Sequence, residues 1–312
     1  MTSPFLTGSP GALPITAVER ETGLSKDTLR VWEKRYGFPQ PLRDAADDRL
    51  YPLDQVHRLK LIRRLLDIGH RPGKIATLDD AALKAMLGNH PSLSKTIEVP
   101  EKVSQDLKQL LGAIEAHDGP GLRHALSHAQ MRMGLGPFVT EVVAPMSTAV
   151  GDAWAQGRFE IFEEHLFTEV ISSVLHSCIA TLSADPTLRR PKVLLTTLPQ
   201  ELHGLGLLMV EALLVLQGCQ CVSLGTQTPV IDIVRAAQAH QVDVVALSFS
   251  NLQNPATVQT SLRALRSELP ADTAIWVGGS CQVLYQKRWD GISALQDLSG
   301  LPAMVHQWRE GH

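Results

Sequence analysis

The hydrophobic and polar residues of the first part of the chain, Leu13 to Leu78, have the spacing of small amphipathic helices. The pattern predicts helices over Ile15–Thr22 and Lys26–Arg35, with Gly23 ending the first and Ser25 capping the second. Two short helices joined by a glycine turn indicate a helix-turn-helix, whose second helix enters the major groove of DNA.

A polar stretch and a longer helix follow this pair. Residues 40–51 are mostly polar and predict a β-wing, and Pro52 then opens a helix over Leu53–Ile68. The apolar residues of that helix share one face: Val56, Leu59, Ile62, Leu65 and Leu66. The segment as a whole is therefore predicted to be a winged helix-turn-helix domain.

The middle of the chain shows helical periodicity throughout. The pattern falls into about four segments, and Gly134 and Gly157 mark two of the breaks between them. Their predicted spans are 101–117, 121–133, 135–156 and 161–182. Four consecutive amphipathic helices with short connections are typical of a four-helix bundle.

The last third of the chain alternates short apolar runs with helical patterns. The runs predict strands at 192–197, 219–224, 242–249 and 273–277, separated by helices at 203–218, 231–240 and 257–268, and a shorter unit closes the chain. Such alternation predicts a Rossmann-like α/β domain with a doubly wound parallel sheet.

The chain is thus predicted to be multidomain. Residues 1–12 are rich in Gly, Pro, Ser and Thr and are expected to be disordered. The boundaries that follow are a winged-helix domain at 13–78, a linker with one weak helix at 79–100, a helical bundle at 101–185 and a Rossmann-like domain at 190–312.

Charge is distributed unevenly between these parts. Residues 1–74 carry thirteen Lys and Arg against nine Asp and Glu, a net charge of +4, which leaves −7 for the remainder of a chain whose total is −3. A basic head on an acidic body indicates that the head binds a polyanion such as double-stranded DNA.

Cysteine usage and the N-terminus suggest a cytoplasmic location. The four cysteines lack CxxC spacing, which favours reduced, buried thiols. The first residues have no basic n-region and no apolar core, so no signal peptide is expected. No apolar run reaches about 18 uncharged residues, so we expect no membrane span.

Residues suited to DNA contact cluster in the head. Lys26, Thr28 and Arg30 lie near the start of the second helix, and Arg43 and Arg49 lie in the wing, where they could contact phosphates. Leu29 and Trp32 occupy the opposite, core-facing side of the helix. Each basic residue could alternatively be a solvated surface charge.

The run TLRVWEKRYGFPQPLR…DRLYP resembles the DNA-binding domain of the MerR family of transcription regulators. The resemblance implies a dimer or higher oligomer on operator DNA and adds Arg35 and Tyr36 to the DNA-binding residues. Where the family usually has glycines before the wing arginine, this chain has Asp47 and Asp48. No sustained heptad pattern follows Gly69, so dimerisation is expected from elsewhere in the chain.

The loop after the first strand of the α/β domain reads LPQELHGLG, from Leu198 to Gly206. Ligands of open parallel sheets bind at the carboxyl ends of strands, where this loop lies. His203 is a possible metal ligand through a ring nitrogen, and Glu201 could orient it by accepting a hydrogen bond. The alternative is an ordinary surface histidine.

Two further strand ends converge on the same edge. One is the segment Ser248–Leu252, which includes Ser250, and the other is Gly278-Gly279, where small residues permit close approach of a large, flat ligand. No GxGxxG motif follows the first strand, so a dinucleotide is not expected.

The bundle contains a second constellation, Trp154 followed after nine residues by Glu164 and His165. On one straight helix, Trp154 and His165 would be about 16 Å apart. The break at residues 156–158 would instead bring the three side chains over one cavity. The alternative is a core tryptophan and a polar pair at a helix start.

These patches together resemble the cobalamin-binding domains of CarH/LitR-type light-sensing repressors. The resemblance implies that His203 of the Glu-x-His-x-x-Gly motif is the lower axial cobalt ligand. It also implies that Ser250, Leu252, Gly278 and Gly279 line the nucleotide tail. By the same resemblance, Trp154, Glu164 and His165 cover the adenosyl group of adenosylcobalamin, and the protein is a regulator without a catalytic residue.

One position departs from that pattern. The family often has a histidine directly after the signature tryptophan, which binds cobalt after light has cut the cobalt–carbon bond, and here Ala155 stands there. A regulator that senses corrinoid without light therefore remains an alternative. A corrinoid carrier for methyl transfer is a second alternative, against which the helix-turn-helix argues.

Overall fold

The structure is a computed structural model that describes residues 12–44, 46–67, 70–88, 101–155, 157–183, 189–250 and 253–311. Disorder was predicted for residues 1–12: residues 1–11 lie outside these ranges, and Ala12 is instead the first residue of a strand, because it pairs with Pro52. The second half of the predicted linker also lies outside these ranges. The chain divides into two units: Met1–Lys95 with Ala155–Arg158, here called the head, and Thr96–Trp154 with Phe159–His312, here called the body.

The head is a helix-turn-helix with a small antiparallel sheet, as predicted. Its helices are α1 (Ile15–Thr22), α2 (Lys26–Tyr36), α3 (Leu53–Asp67), α4 (Pro72–Ile75) and α5 (Asp80–Gly88), and its strands are β1 (Ala12–Pro14), β2 (Leu42–Arg43) and β3 (Arg49–Pro52). The strand order is β1-β3-β2. Gly23 ends α1 in the left-handed conformation, and the Ser25 side chain caps α2 by accepting from the Thr28 N–H.

The core of the head extends beyond its predicted boundary. Leu29 and Trp32 of α2 are buried as expected, together with Tyr51 of the wing. Leu83 and Leu87 of α5 are buried in the same core. The first part of the stretch 79–100, predicted as a linker, therefore packs as part of the head.

The first half of the body is the predicted helical bundle. Its elements are α6 (Glu101–Glu115), α7 (Gly119–Met133), α8 (Leu135–Pro137), a π-helical stretch (Phe138–Val143), α9 (Ala144–Ala155) and α10 (Ile161–Ser183). The π-helical stretch was not predicted. It turns Phe138, Val139, Val142 and Val143 into the core, because the wider turn brings four apolar side chains to the buried face.

The second half of the body is a five-stranded parallel sheet with helices. The strands are β4 (Arg189–Thr196), β5 (Cys219–Ser223), β6 (Val244–Phe249), β7 (Ala274–Gly279) and β8 (Ile292–Leu295), in the order β5-β4-β6-β7-β8. The helices are α11 (Leu205–Leu216), α12 (Val230–His240), α13 (Pro255–Glu268) and α14 (Leu301–Glu310). The doubly wound sheet agrees with the sequence prediction.

The two faces of the sheet belong to different cores. Val193 and Leu195 of β4 point into a core shared with α11 and the bundle helices. Leu194, between them, points into the core under α12 and α13. Because side chains alternate along a strand, β4 joins both cores, and its carboxyl end is held firmly from both sides.

One helix in the described part of the chain, α10, has the length and apolar composition of a membrane span. Phe167, Ile171 and Leu175 of this helix are buried in the bundle core, and α10 packs on α7 and α11. The core helix of a bundle meets the same criteria, so the observation is weak evidence for a membrane.

Candidate functional site

The loop after β4 is organised by the carboxylate of Glu201, whose residue is only 1% exposed. Its Oε1 accepts from the His203 backbone N–H at 3.0 Å and lies 2.7 Å from His203 Nδ1. Its Oε2 accepts from the backbone N–H and the hydroxyl of Ser250, both at 2.7 Å. The structure thus brings together three of the residues that the sequence singled out.

The electrostatics of this contact favour a charged carboxylate. Burial alone would raise the pKa of Glu201, but the hydrogen bonds from His203 and Ser250 outweigh it and lower the pKa below its ordinary value. A charged Glu201 accepts from Nδ1–H of His203 and so fixes the tautomer of the ring. That tautomer presents Nε2 as the coordinating nitrogen.

His203 fits a ligand for a borderline metal such as cobalt. Its side chain is 59% exposed although its carboxylate partner is buried, so the ring is anchored at one end and accessible at the other. A neutral imidazole oriented by a carboxylate is the usual form of a metal-binding histidine. Among the described residues no group of three or more His, Cys, Asp or Glu could hold a metal ion.

Two buried threonines that the sequence analysis did not single out hold the histidine loop against its neighbour. The Thr197 hydroxyl donates to the Glu201 carbonyl and accepts from the Gln227 N–H, both at 2.8 Å. The Thr196 hydroxyl bonds the Gly225 carbonyl at 3.0 Å. The loops after β4 and β5 are therefore linked. In the sequence, the signal for this role was a pair of adjacent threonines at the carboxyl end of a predicted buried strand.

The glycines of the predicted site lie in close contact with neighbouring elements of the fold, and Gly279 leaves no room for a side chain. A Cβ on Gly206 would lie 2.8 Å from the Ser248 hydroxyl, and a Cβ on Gly279 would lie 2.2 Å from the Phe249 carbonyl oxygen. A Cβ on Gly278 would lie 3.1 Å from the Leu295 carbonyl oxygen. These residues keep the strand ends close together. Leu252, a predicted tail contact, lies outside the described residues.

The bundle signature lies on two helices. Trp154, near the end of α9, packs partly buried on the bundle core. On α10, Glu164 Oε1 accepts from the Thr168 hydroxyl at 2.8 Å, and Glu164 Oε2 lies 3.6 Å from His165 Nε2. The structure therefore pairs Glu164 with His165. Joint contact of all three residues with an adenosyl group remains a prediction.

Glu163, beside this pair, was missed by the sequence analysis. It is buried, and its Oε2 accepts from the Glu160 N–H at 2.7 Å, which caps the start of α10. Its Oε1 lies 3.1 Å from Nε2 of His117, in the turn between α6 and α7. The start of α10, which carries Glu164 and His165, is thus fixed to a second turn of the bundle.

The recognition helix α2 presents a charged outer face. Arg30 and Asp27 are exposed and lie 3.4 Å apart, and Lys26 lies 3.6 Å from Glu19 of α1. Thr28 is held at the start of the helix by the Ser25 cap. The Arg35 guanidinium lies over the Tyr36 ring, 5.4 Å from its centre.

The wing arginines are both engaged within the protein. The Glu33 carboxylate accepts from Arg49 Nε at 3.0 Å and from the buried Tyr51 hydroxyl at 2.8 Å. Arg43 pairs with Asp47 at 3.3 Å and donates to the Asp47 carbonyl. Arg49 therefore fastens the wing to α2, a structural role that the sequence did not reveal, and phosphate contact by either arginine remains a prediction.

Comparison with protein families agrees with the division of the chain into a helix-turn-helix head and a body made of a helical bundle and an α/β domain. Residues 13–82 match the MerR HTH family regulatory protein model, and residues 106–178 and 191–295 match two models of a B12 binding domain. A MerR-type helix-turn-helix joined to B12-binding domains defines the class as a cobalamin-binding, DNA-binding regulator.

Individual relatives are consistent with that class. The chain is 28% identical over 264 residues to the HTH-type transcriptional repressor CarH of Myxococcus xanthus, a match that covers 85% of this chain and 87% of the relative. It is 28% identical over 260 residues to the repressor CarA of the same organism, over 83% of this chain and 84% of CarA. The chain thus resembles the CarH-type MerR regulators over most of its length.

A solved structure shows the same fold in the body. The monomethylamine corrinoid protein of Methanosarcina barkeri matches with a TM-score of 0.53 and 16% identity. The match covers 65% of this chain and 98% of that protein. At this identity the comparison supports the bundle and α/β architecture alone.

Proposed function

We propose that this protein is a transcriptional repressor that uses adenosylcobalamin as a light sensor and acts in the cytoplasm without catalysing a reaction. The observation that carries the proposal is the Glu201–His203 pair, an oriented imidazole on a B12-binding domain in the same chain as a MerR-type helix-turn-helix. The similarity to the repressors CarH and CarA supports the regulatory part of the proposal.

On the body, His203 would hold cobalt from below, with Glu201 and Ser250 keeping the ring in place. When bound, adenosylcobalamin would supply absorption of visible light and a cobalt–carbon bond that light breaks. Trp154, Glu164 and His165 would contact the upper group only while it is present. The bundle then has a different preferred state in the dark and in the light, because ligand contacts exist in only one of them.

On the head, the recognition helix would read operator DNA. A dark-state dimer or tetramer would present several heads to one operator, which raises affinity without new contacts. Dissociation of the oligomer in the light would lower that affinity and release the operator.

The test is to load the protein with adenosylcobalamin in the dark and to record absorption, gel filtration and operator binding before and after green light. We expect a spectral change, a smaller species and weaker DNA binding after illumination. His203→Ala should reduce cofactor retention, and Arg30→Ala should weaken operator binding while cofactor binding is unchanged. Identical size and DNA affinity in the dark and in the light would contradict the light-sensing proposal.

Ala155 favours a second candidate, a regulator that responds to corrinoid without light. The imidazole that the family often provides beside the tryptophan is absent from the sequence at this position. In the same experiment, cofactor binding that changes DNA affinity equally in darkness and light would support this second candidate.

A further inference from the structure

The recognition helix exposes an apolar side chain that neither the core of the head nor the charged contacts above account for. Val31 is 54% exposed, although Leu29 and Trp32 on the same helix are buried. At about 100° per residue, Val31 is turned about 160° from Leu29 and about 100° from Trp32, beside Arg30 and one turn from Asp27 and Lys34. It therefore lies on the outward face of the helix that this domain class directs into DNA.

Valine is an unfavourable choice for a solvated helix face. Its branched side chain loses rotamer freedom in a helix, and its exposed methyl groups gain nothing from water. A single exposed valine would need no explanation elsewhere on the surface. Here it lies among charged neighbours on the one helix whose outward face would be covered when DNA binds.

We propose that Val31 reads a thymine methyl group in the major groove, and this rests on the DNA-binding part of the proposed function. Each thymine exposes a C5-methyl group there, and apolar side chains are its usual partners. Arg30 is paired with Asp27 at 3.4 Å and precedes Val31 directly, so both side chains lie on the part of α2 that would face the groove. Arg30 would supply a hydrogen-bonding contact and Val31 an apolar one.

Charge around the valine favours DNA over a protein partner. Arg30, Lys34 and Asp27 surround Val31 on the outward face, so the charges next to the valine sum to +1, and Arg35 follows. Residues 1–74, which form most of the head, are basic, with a net charge of +4. A basic rim around one apolar residue matches a groove lined by phosphates with methyl groups on its floor.

The experiment uses the full chain, loaded with adenosylcobalamin in the dark, to select its site from a random duplex pool. Each thymine of the selected site is then replaced by deoxyuridine, which removes only the methyl group. We expect one position per half-site at which the replacement weakens binding about fourfold, the effect of one buried methyl group. Val31→Ala should bind the thymine site more weakly than the wild type by a similar factor. On the uracil site, the variant and the wild type should have the same affinity.

Lys34→Ala is the matched control on the same face. It should weaken the thymine and uracil sites equally and reduce the salt dependence of binding, because its contact would be to phosphate. The inference is overturned if no thymine is sensitive to uracil, or if Val31→Ala weakens both sites by the same factor. Failure to select any site would instead contradict the DNA-binding function itself.

Discussion

At the scale of single residues, the site depends on a buried negative charge. Glu201 is almost fully buried, and its two oxygens accept four contacts from His203 and Ser250. A buried carboxylate is tolerated only when it is fully hydrogen-bonded. Removing the charge while keeping the shape therefore tests the orientation of His203 without opening a cavity.

We expect Glu201→Gln to weaken cobalamin binding about 10- to 100-fold, since a neutral amide no longer supports the basic imidazole of a metal-binding histidine. Spectrophotometric titration with adenosylcobalamin measures the affinity. Glu268→Gln, at an exposed position on α13, is the control and should bind as the wild type does. Equal affinities in both variants would mean that His203 does not depend on Glu201.

The lowered pKa of Glu201 also predicts a pH dependence of stability. In the unfolded chain this group takes up a proton near its ordinary value of 4.5, whereas in the folded protein it stays charged to lower pH. The free energy of unfolding should therefore fall as pH drops below about 4.5. Urea unfolding of the cofactor-free protein at pH 5.5 and below should show a shallower decline for Glu201→Gln. If the free energy of unfolding fell equally with pH in the wild type and in Glu201→Gln, the lowered pKa of Glu201 would be contradicted.

At the scale of elements, the Glu163 side chain supports the start of α10. Glu163 caps the helix at the Glu160 N–H and contacts His117 across the bundle. We expect Glu163→Ala to lower the free energy of unfolding by about 1–3 kcal/mol, because a cap and a partly buried hydrogen bond are both lost. Chemical denaturation measures this loss. Glu169→Ala, at an exposed position on the same helix, should be near neutral, and an equally small effect of both substitutions would exclude the capping role.

The wing offers a second test at this scale. Asp47 has a left-handed backbone conformation with φ of 64°, where the family usually has glycine, and it pairs with Arg43. We expect Asp47→Gly to strengthen operator binding about threefold, because it removes a negative charge near the phosphates and releases the arginine. Asp47→Asn separates the two causes, since it removes the charge and keeps a side chain. Weaker DNA binding by both variants would show that the Arg43–Asp47 pair assists the complex.

Which elements the sequence predicts depends on whether their signal is local. Local features such as capping residues, glycines and hydrophobic periodicity predict the α1–α2 turn, the bundle helices and the α/β alternation. The structure confirms these elements. Strand β1 is defined by its pairing with β3, which lies far along the sequence. Helix α5 is held by Leu83 and Leu87, which are buried against residues of the head that are distant in sequence. The Glu33–Arg49 contact likewise joins residues 16 apart, and no local pattern announces it.

The same limit applies to the candidate site. Glu201 and His203 are adjacent in a motif and could be selected from the sequence, but the contact with Ser250 spans 49 residues and needs the order of the strands. Thr196 and Thr197 escaped notice because buried hydroxyls at a strand end resemble ordinary strand residues. Sequence therefore locates the imidazole, and only the fold shows what holds it.

At the scale of the whole molecule, the predicted DNA-binding residues and the predicted cofactor-binding residues lie in separate units, and the core of the head is separate from the two cores of the body. Because the core of the head lies within residues 1–95, this segment, which omits Ala155–Arg158 and is here called the isolated head, should fold alone. If repression depends on several heads held together by the body, the isolated head should bind operator DNA about 10²- to 10⁴-fold more weakly than the dark, cofactor-loaded chain. Its affinity should respond neither to cobalamin nor to light.

Electrophoretic mobility shifts with both proteins on one operator measure this ratio, and circular dichroism checks that the head is folded. The full chain without cofactor is the matched control, and its affinity should lie near that of the isolated head, because both would lack the ligand that is proposed to support the oligomer. An isolated head that binds as tightly as the dark full chain would show that affinity resides in a single domain. Cobalamin would then have to change operator binding in some way other than by changing how many heads bind one operator.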